Sequence, residues 1–118
     1  MPYVDGFVIP IQKKNLAAYR RMSQKCGKVW REHGALDYKE CVGDDLNQKC
    51  GTPFTKLAKT KSGETIIFAF IVYKSRAHRD SVNAKVMKDK RMDTFASKKM
   101  PFDIKRMSFG GFNVFVDC

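Results

Sequence analysis

The chain has 118 residues and a mass of 13.5 kDa, which fits one domain spanning residues 1–118. Its 43% hydrophobic and 30% charged residues exclude a disordered chain, and its longest apolar run, Ile66 to Tyr73, is too short for a membrane helix. Lys and Arg number 23 against 12 Asp and Glu, so a net charge of +11 attracts polyanions at a distance without defining a site for them.

Tyr3 to Ile11 reads as a strand rich in β-branched and aromatic residues, with Gly6 marking a bulge or a close backbone approach. A helix follows from about Lys14 to His33. Leu16, Tyr19, Met22, Cys26, Val29, Trp30 and His33 recur at spacings of three and four and form its inner stripe. Gly27 is a weak interior position, costing about 1 kcal/mol relative to Ala. Ala35 to Val42 is a second, more polar strand with Leu36, Tyr38, Glu40 and Val42 on one face. A loop from Gly43 to Pro53 leads to Phe54–Lys59, read as further strand, and then to a turn at Lys61–Glu64.

Thr65 to Tyr73 is the strongest strand. Ile66, Phe68, Phe70 and Val72 lie on one face and Ile67, Ala69 and Ile71 on the other, so both faces expect cover. Ser75 caps a helix with Val82, Val86 and Met87 on its inner side, and Asp89 caps a shorter one containing Met92, Phe95 and Ala96. Gly110 and Gly111 open a last strand, Phe112 to Val116. The order β-α-β-β-α-β predicts an α+β fold, the ferredoxin-like sandwich: a four-stranded antiparallel sheet with two main helices on one face. The face without helices then predicts a homodimer packed sheet to sheet.

The four cysteines show no C-x-x-C spacing and the two histidines no metal-ligand pattern, so neither a structural metal nor a disulfide is expected. With no secretory pattern at the N-terminus, reduced thiols in the cytoplasm are expected, Cys50 and Cys118 being the exposed ones. No nucleophile triad, phosphate loop, flavin motif or haem ligand is present, so no cofactor is expected.

The topology gathers Tyr3, Asp5, His33, Tyr73, Ser75, His78 and Arg79 at one end of the domain. Asp5 alternates with Tyr3 and Phe7 and points to an apolar face. It is read either as an ion pair with Arg79 or as a ligand-binding or catalytic carboxylate. Glu40 is either a solvated or dimer-contacting carboxylate or a pocket acid. Tyr3, Asp5, Glu40, Tyr73 and Arg79 are thus the candidate pocket residues. Tyr19 and Trp30 fit core spacing. Arg106, before the last strand, is a candidate anion contact, with Asp103 or a chain terminus as the alternative partner.

Tyr3-Val4-Asp5-Gly6-Phe7, Gly34-Ala35-Leu36, Met100-Pro101-Phe102-Asp103, Lys105-Arg106-Met107 and Gly110-Gly111-Phe112 together resemble the YbaA-like family of small bacterial proteins. Lys90 departs from that pattern, where the family often has proline after the capping Asp. The resemblance implies a dimeric α+β barrel and no established reaction. The expected function is a small cytoplasmic protein that binds a small ligand between sheet and helices or at the dimer seam. Two alternatives stand beside it: a cofactor-independent monooxygenase or isomerase of the dimeric barrel type using Asp5 with Arg79 or Tyr73, and a basic protein binding RNA or another polyanion.

Overall fold

The structure is a computed structural model, and it describes residues 1–96 and 99–118. Four strands form one antiparallel sheet: β1 (Tyr3–Gln12), β2 (Asp37–Val42), β3 (Glu64–Tyr73) and β4 (Ser108–Asn113), in the spatial order β2-β3-β1-β4. Helices α1 (Leu16–Glu32) and α3 (Arg76–Lys88) carry the two crossovers. This is the ferredoxin-like α+β sandwich.

Register decides which residues meet. Tyr3 stands opposite both Tyr73 and Asn113, and Tyr38 stands opposite Ile71. Because side chains alternate along each strand, Tyr3, Asp5, Phe7, Ile9 and Ile11 share the helix-bearing face with Ile67, Ala69, Ile71 and Tyr73. Val29 of α1 and Val82 and Val86 of α3 close over Tyr3, Ile71 and Tyr73 as one core cluster. Tyr19 joins Ile9, Ile11, Ile67 and Ala69 in a second. The Ser75 hydroxyl accepts the His78 N–H at 3.1 Å and so starts α3, and the Asp89 carboxylate accepts the Arg91 N–H at 2.9 Å where the chain turns onward.

Several expectations shift. Phe54–Leu57 is a single helical turn, α2, and not strand. Pro53 fixes φ at −64° just ahead of it, and the segment lacks period-two alternation. Met87 is 66% exposed, since only positions four apart on α3, Val82 and Val86, reach the core. β4 runs Ser108–Asn113, earlier than expected, with both glycines inside it. A Cβ on Gly111 would stand 2.7 Å from the Tyr3 ring, so the strand passes Tyr3 only where it has no side chain. Gly6 makes no bulge; it pairs in register on both sides, and the Phe112 ring approaches it. The short helix after Asp89, α4 (Asp93–Ala96), ends where residues 97 and 98 lie outside the described set.

The other face of the sheet carries no main helix. Phe68 and Phe112 stand on it 45% and 60% exposed, beside the half-buried Phe70 and Val72. α2 adds Phe54 against Phe68, ring centroids 6.3 Å apart. Among the described residues, no helix is long and apolar enough to cross a membrane.

Candidate functional site

The predicted pocket residues separate into two groups on the helix-bearing side of the sheet. The first is centred on Asp5, which is 2% exposed. Arg79 Nη1 donates to its Oδ1 at 2.7 Å, and the same guanidinium lies 5.0 Å from the Tyr3 ring centroid. Tyr73 and Trp30 both donate to the side-chain Oδ1 of Asn83, at 3.2 and 3.1 Å. Burial pushes the Asp5 carboxyl above its usual range, with Arg79 opposing. Burial and the neighbouring Asp5 raise the Tyr73 phenol. Asp5 lines neither of the two clefts described below. His33 stands apart, its Nε2 meeting Asp89 at 2.8 Å, whereas His78 packs edge-on against Tyr73, ring centroids 6.0 Å apart, with its Nδ1 accepting the Lys74 N–H at 3.0 Å.

Glu40 belongs to the second group. β2 is an edge strand, and α1 crosses its inner face at an opening of about 660 Å³. Leu16, Val42 and Ile67 give the cleft apolar walls, while Glu40, Tyr19 and Tyr38 form a polar floor. Tyr19 donates to Glu40 Oε1 at 2.7 Å and Tyr38 to Oε2 at 2.8 Å, so each carboxylate oxygen holds one phenol. Burial first, and the Glu40 charge second, push both phenols well above the usual tyrosine range. The same two causes raise the Cys26 thiol to about 11, which leaves it an inert thiol at neutral pH. Arg20, Lys28 and Arg31 surround the mouth.

Two further residues of this site carry no obvious chemical signal in the sequence. Ser23 is 5% exposed, and its hydroxyl has no hydrogen-bond partner among the described residues. Gly27 is buried because the Tyr38 ring lies on it; an added Cβ would stand 2.9 Å from two ring carbons. Tyr19, Ser23 and Gly27 are spaced four apart, one row facing β2. Gly27→Ala gains about 1 kcal/mol of helix propensity and meets an overpacking cost of about 1–3 kcal/mol. The clash should win, because Glu40 and Trp30 hold Tyr38 in place. Urea denaturation should show a net loss of about 1 kcal/mol, with an altered near-UV tyrosine signal.

A second cleft, of about 250 Å³, lies between Met22 and Lys25 of α1 and Phe95 and Pro101. Arg106 makes a different contact from those expected. Its guanidinium forks onto Glu64, at 2.6 and 2.8 Å, and also reaches the Lys59 carbonyl. Arg106 holds the Glu64 carboxyl down to about 2, against 4.5 ordinarily. A depressed folded-state pKa stabilises above the ordinary value and loses that contribution as pH falls toward 2. Glu64→Gln should therefore be less stable than the parent at pH 7 by thermal melting, with the difference closing as pH falls below about 4.

All four cysteines are free thiols, and Cys41 is exposed along with Cys50 and Cys118. Among the described residues no cluster of three or more His, Cys, Asp or Glu is placed to hold a metal.

Residues 2–104 match the family described as "Protein of unknown function (DUF1428)". The chain is 40% identical over 117 residues to "Uncharacterized protein YbaA" of Escherichia coli K12, covering 99% of both chains, and equally so to that of Shigella flexneri. Among solved structures it is similar to Rv0793 from Mycobacterium tuberculosis, with a TM-score of 0.60 at 11% identity, covering 99% of this chain and 98% of that one. It is also similar to a dimeric ferredoxin-like protein from an uncultured marine organism, with a TM-score of 0.59 at 14% identity and full coverage of both. At these identities the two structures show a shared fold.

Proposed function

The chain belongs to the DUF1428 family, and from that premise we propose that it is a homodimeric small-molecule-binding protein taking its ligand in the cleft between α1 and β2. One observation carries this reading: an opening of about 660 Å³, apolar-walled, with a carboxylate held between two phenols at its floor. That volume and that mixture of apolar wall with few fixed polar groups are typical of ligand sites. The dimer rests on the aromatic row of the helix-free face and on the dimeric description of one structural neighbour. Cleft and aromatic row occupy opposite faces of the sheet, so pairing through one leaves the other open. Four free thiols suit a reducing compartment, and we place the protein in the cytoplasm.

An oxygenase or isomerase built on Asp5 has less support, because that carboxylate is enclosed and paired. The test is a fragment screen on ¹⁵N-labelled protein, with neutral, cationic and anionic fragments at millimolar concentration. Amide shifts confined to residues 16–31 and 38–42 are expected for at least one chemical class. If no fragment moves these amides, the reading fails.

A further inference from the structure

Resting on that reading, we infer that the α1–β2 cleft takes an amino acid whose ammonium and carboxylate are separated by an apolar body, the ammonium on Glu40 at the floor and the carboxylate at the cationic mouth. The helix period lays out both ends. Tyr19, Ser23 and Gly27 recur four apart and face β2. Arg20, Gln24 and Lys28, one position on, form a parallel exposed row at the rim. One cleft thus holds an acid below and two bases above.

Charge decides the floor. Glu40 is the carboxylate among the lining residues, and it is in no ion pair among the described residues. The other acids of these two elements are answered, Asp37 by Lys39 and Glu32 by Arg91. The two phenols donate to Glu40 without cancelling its charge. Beside apolar walls that charge is weakly screened, and a cation answers it better than a neutral donor, charge-assisted hydrogen bonds being roughly twice as strong. The remaining polar groups do not select. The Gln24 amide and the outer backbone edge of β2 offer donors and acceptors alike, so they accommodate either end of a ligand. The Ser23 hydroxyl is closed off from the cleft, and Cys41 turns its side chain to the opposite face of the sheet.

The mouth sets the other end. Arg31 Nη1 is engaged by the carbonyls of Ala35 and Leu36. Arg20 and Lys28 are exposed and in no ion pair among the described residues, which leaves them to hold an anion. A simple amine is repelled by these two cations, and a simple acid leaves Glu40 unanswered. Separated charges of both signs meet both ends. Leu16, Val42 and Ile67 form the walls, so the body joining the two charges is apolar.

Calorimetric titration of the full chain with four probes tests this: 8-aminooctanoate, its isomer 2-aminooctanoate with the two charges adjacent, octanoate, and octylamine. The first should bind at least about tenfold tighter than each of the others. Arg20→Ala with Lys28→Ala, both at exposed positions, should weaken 8-aminooctanoate about fivefold or more and leave octylamine no weaker. Glu40→Gln should weaken it about tenfold and leave octanoate no weaker. Glu40→Gln strips one phenol of its acceptor, so the double variant carries the test if that protein does not fold. A margin under about tenfold over any of the three, a folded variant that binds 8-aminooctanoate as the parent does, or no binding of it while other fragments still shift cleft amides, overturns this inference and leaves the binding reading standing. Silence of the cleft toward every fragment removes both.

Discussion

Arg79→Met should cost about 3–5 kcal/mol of unfolding free energy, the usual penalty for stranding one member of a buried ion pair. For a domain of this size that corresponds to a fall in Tm of about 10–20 °C. The carboxylate of Asp5 is 2% exposed, and Arg79 is the cation that faces it. Met keeps much of the stem that packs beside Tyr3 while removing the charge and its donors. The variant should also acquire a characteristic pH dependence. The Asp5 pKa is already raised by burial, and Arg79 opposes that rise. Without Arg79 it rises further. A folded-state pKa above the ordinary 3.8 means the folded protein holds its proton more tightly. Its stabilising share is complete at low pH and is lost as pH climbs through the raised value. Arg79→Met should thus be closest to the parent near pH 4 and furthest from it above pH 7. Adding Asp5→Leu should recover part of the loss, since an apolar pair leaves no buried charge. A flat pH profile for Arg79→Met, or a cost under about 1 kcal/mol, would mean that water reaches Asp5 after all.

The same pair shows how far the sequence carries. Asp5 and Arg79 are 74 positions apart, yet alternation along β1, the crossover rule and the Ser75 cap suffice to bring them together. Patterns of that kind made the sheet order and the two main helices legible. What they missed is local or mutual. Phe54–Leu57 is too short for any periodicity to be read. The glycines of β4 signal a turn by composition, and only the Tyr3 ring, 108 positions away from Gly111, explains why they sit inside a strand. At the cleft, Glu40 was readable as a pocket acid, whereas Tyr19 looked like core. Both readings hold for Tyr19, which is buried in the core and whose hydroxyl donates to Glu40 at the cleft. Ser23 and Gly27 fall outside the apolar stripe read on this helix, and only the packing of Tyr38 on Gly27 shows that they form a row with Tyr19 facing β2. Arg106 and Glu64 were not legible as partners; they lie 42 positions apart, on the turn before β4 and at the start of β3, two strands that are not neighbours in the sheet.

The dimer gives the other large expected effect. Light scattering at micromolar concentration should return twice the chain mass of 13.5 kDa. Phe68→Glu should return the chain mass itself, with the dissociation constant raised by about 30-fold to 1,000-fold. Phe68 stands mid-sheet on the helix-free face, 45% exposed, with Phe70 beside it at 6.2 Å and Phe54 on its other side. An aromatic row of this kind is too apolar to be left in water by most monomers. A carboxylate placed there faces its own copy across a two-fold axis, adding repulsion to the lost burial. The folded monomer should tolerate it, since position 68 is already partly solvated. Met87→Glu is the control. It sits 66% exposed on α3, on the opposite side of the molecule, and a dimer formed through the helices would be broken there instead. A parent protein that stays monomeric, or a mass that responds to position 87 and not to position 68, would move the interface off the sheet.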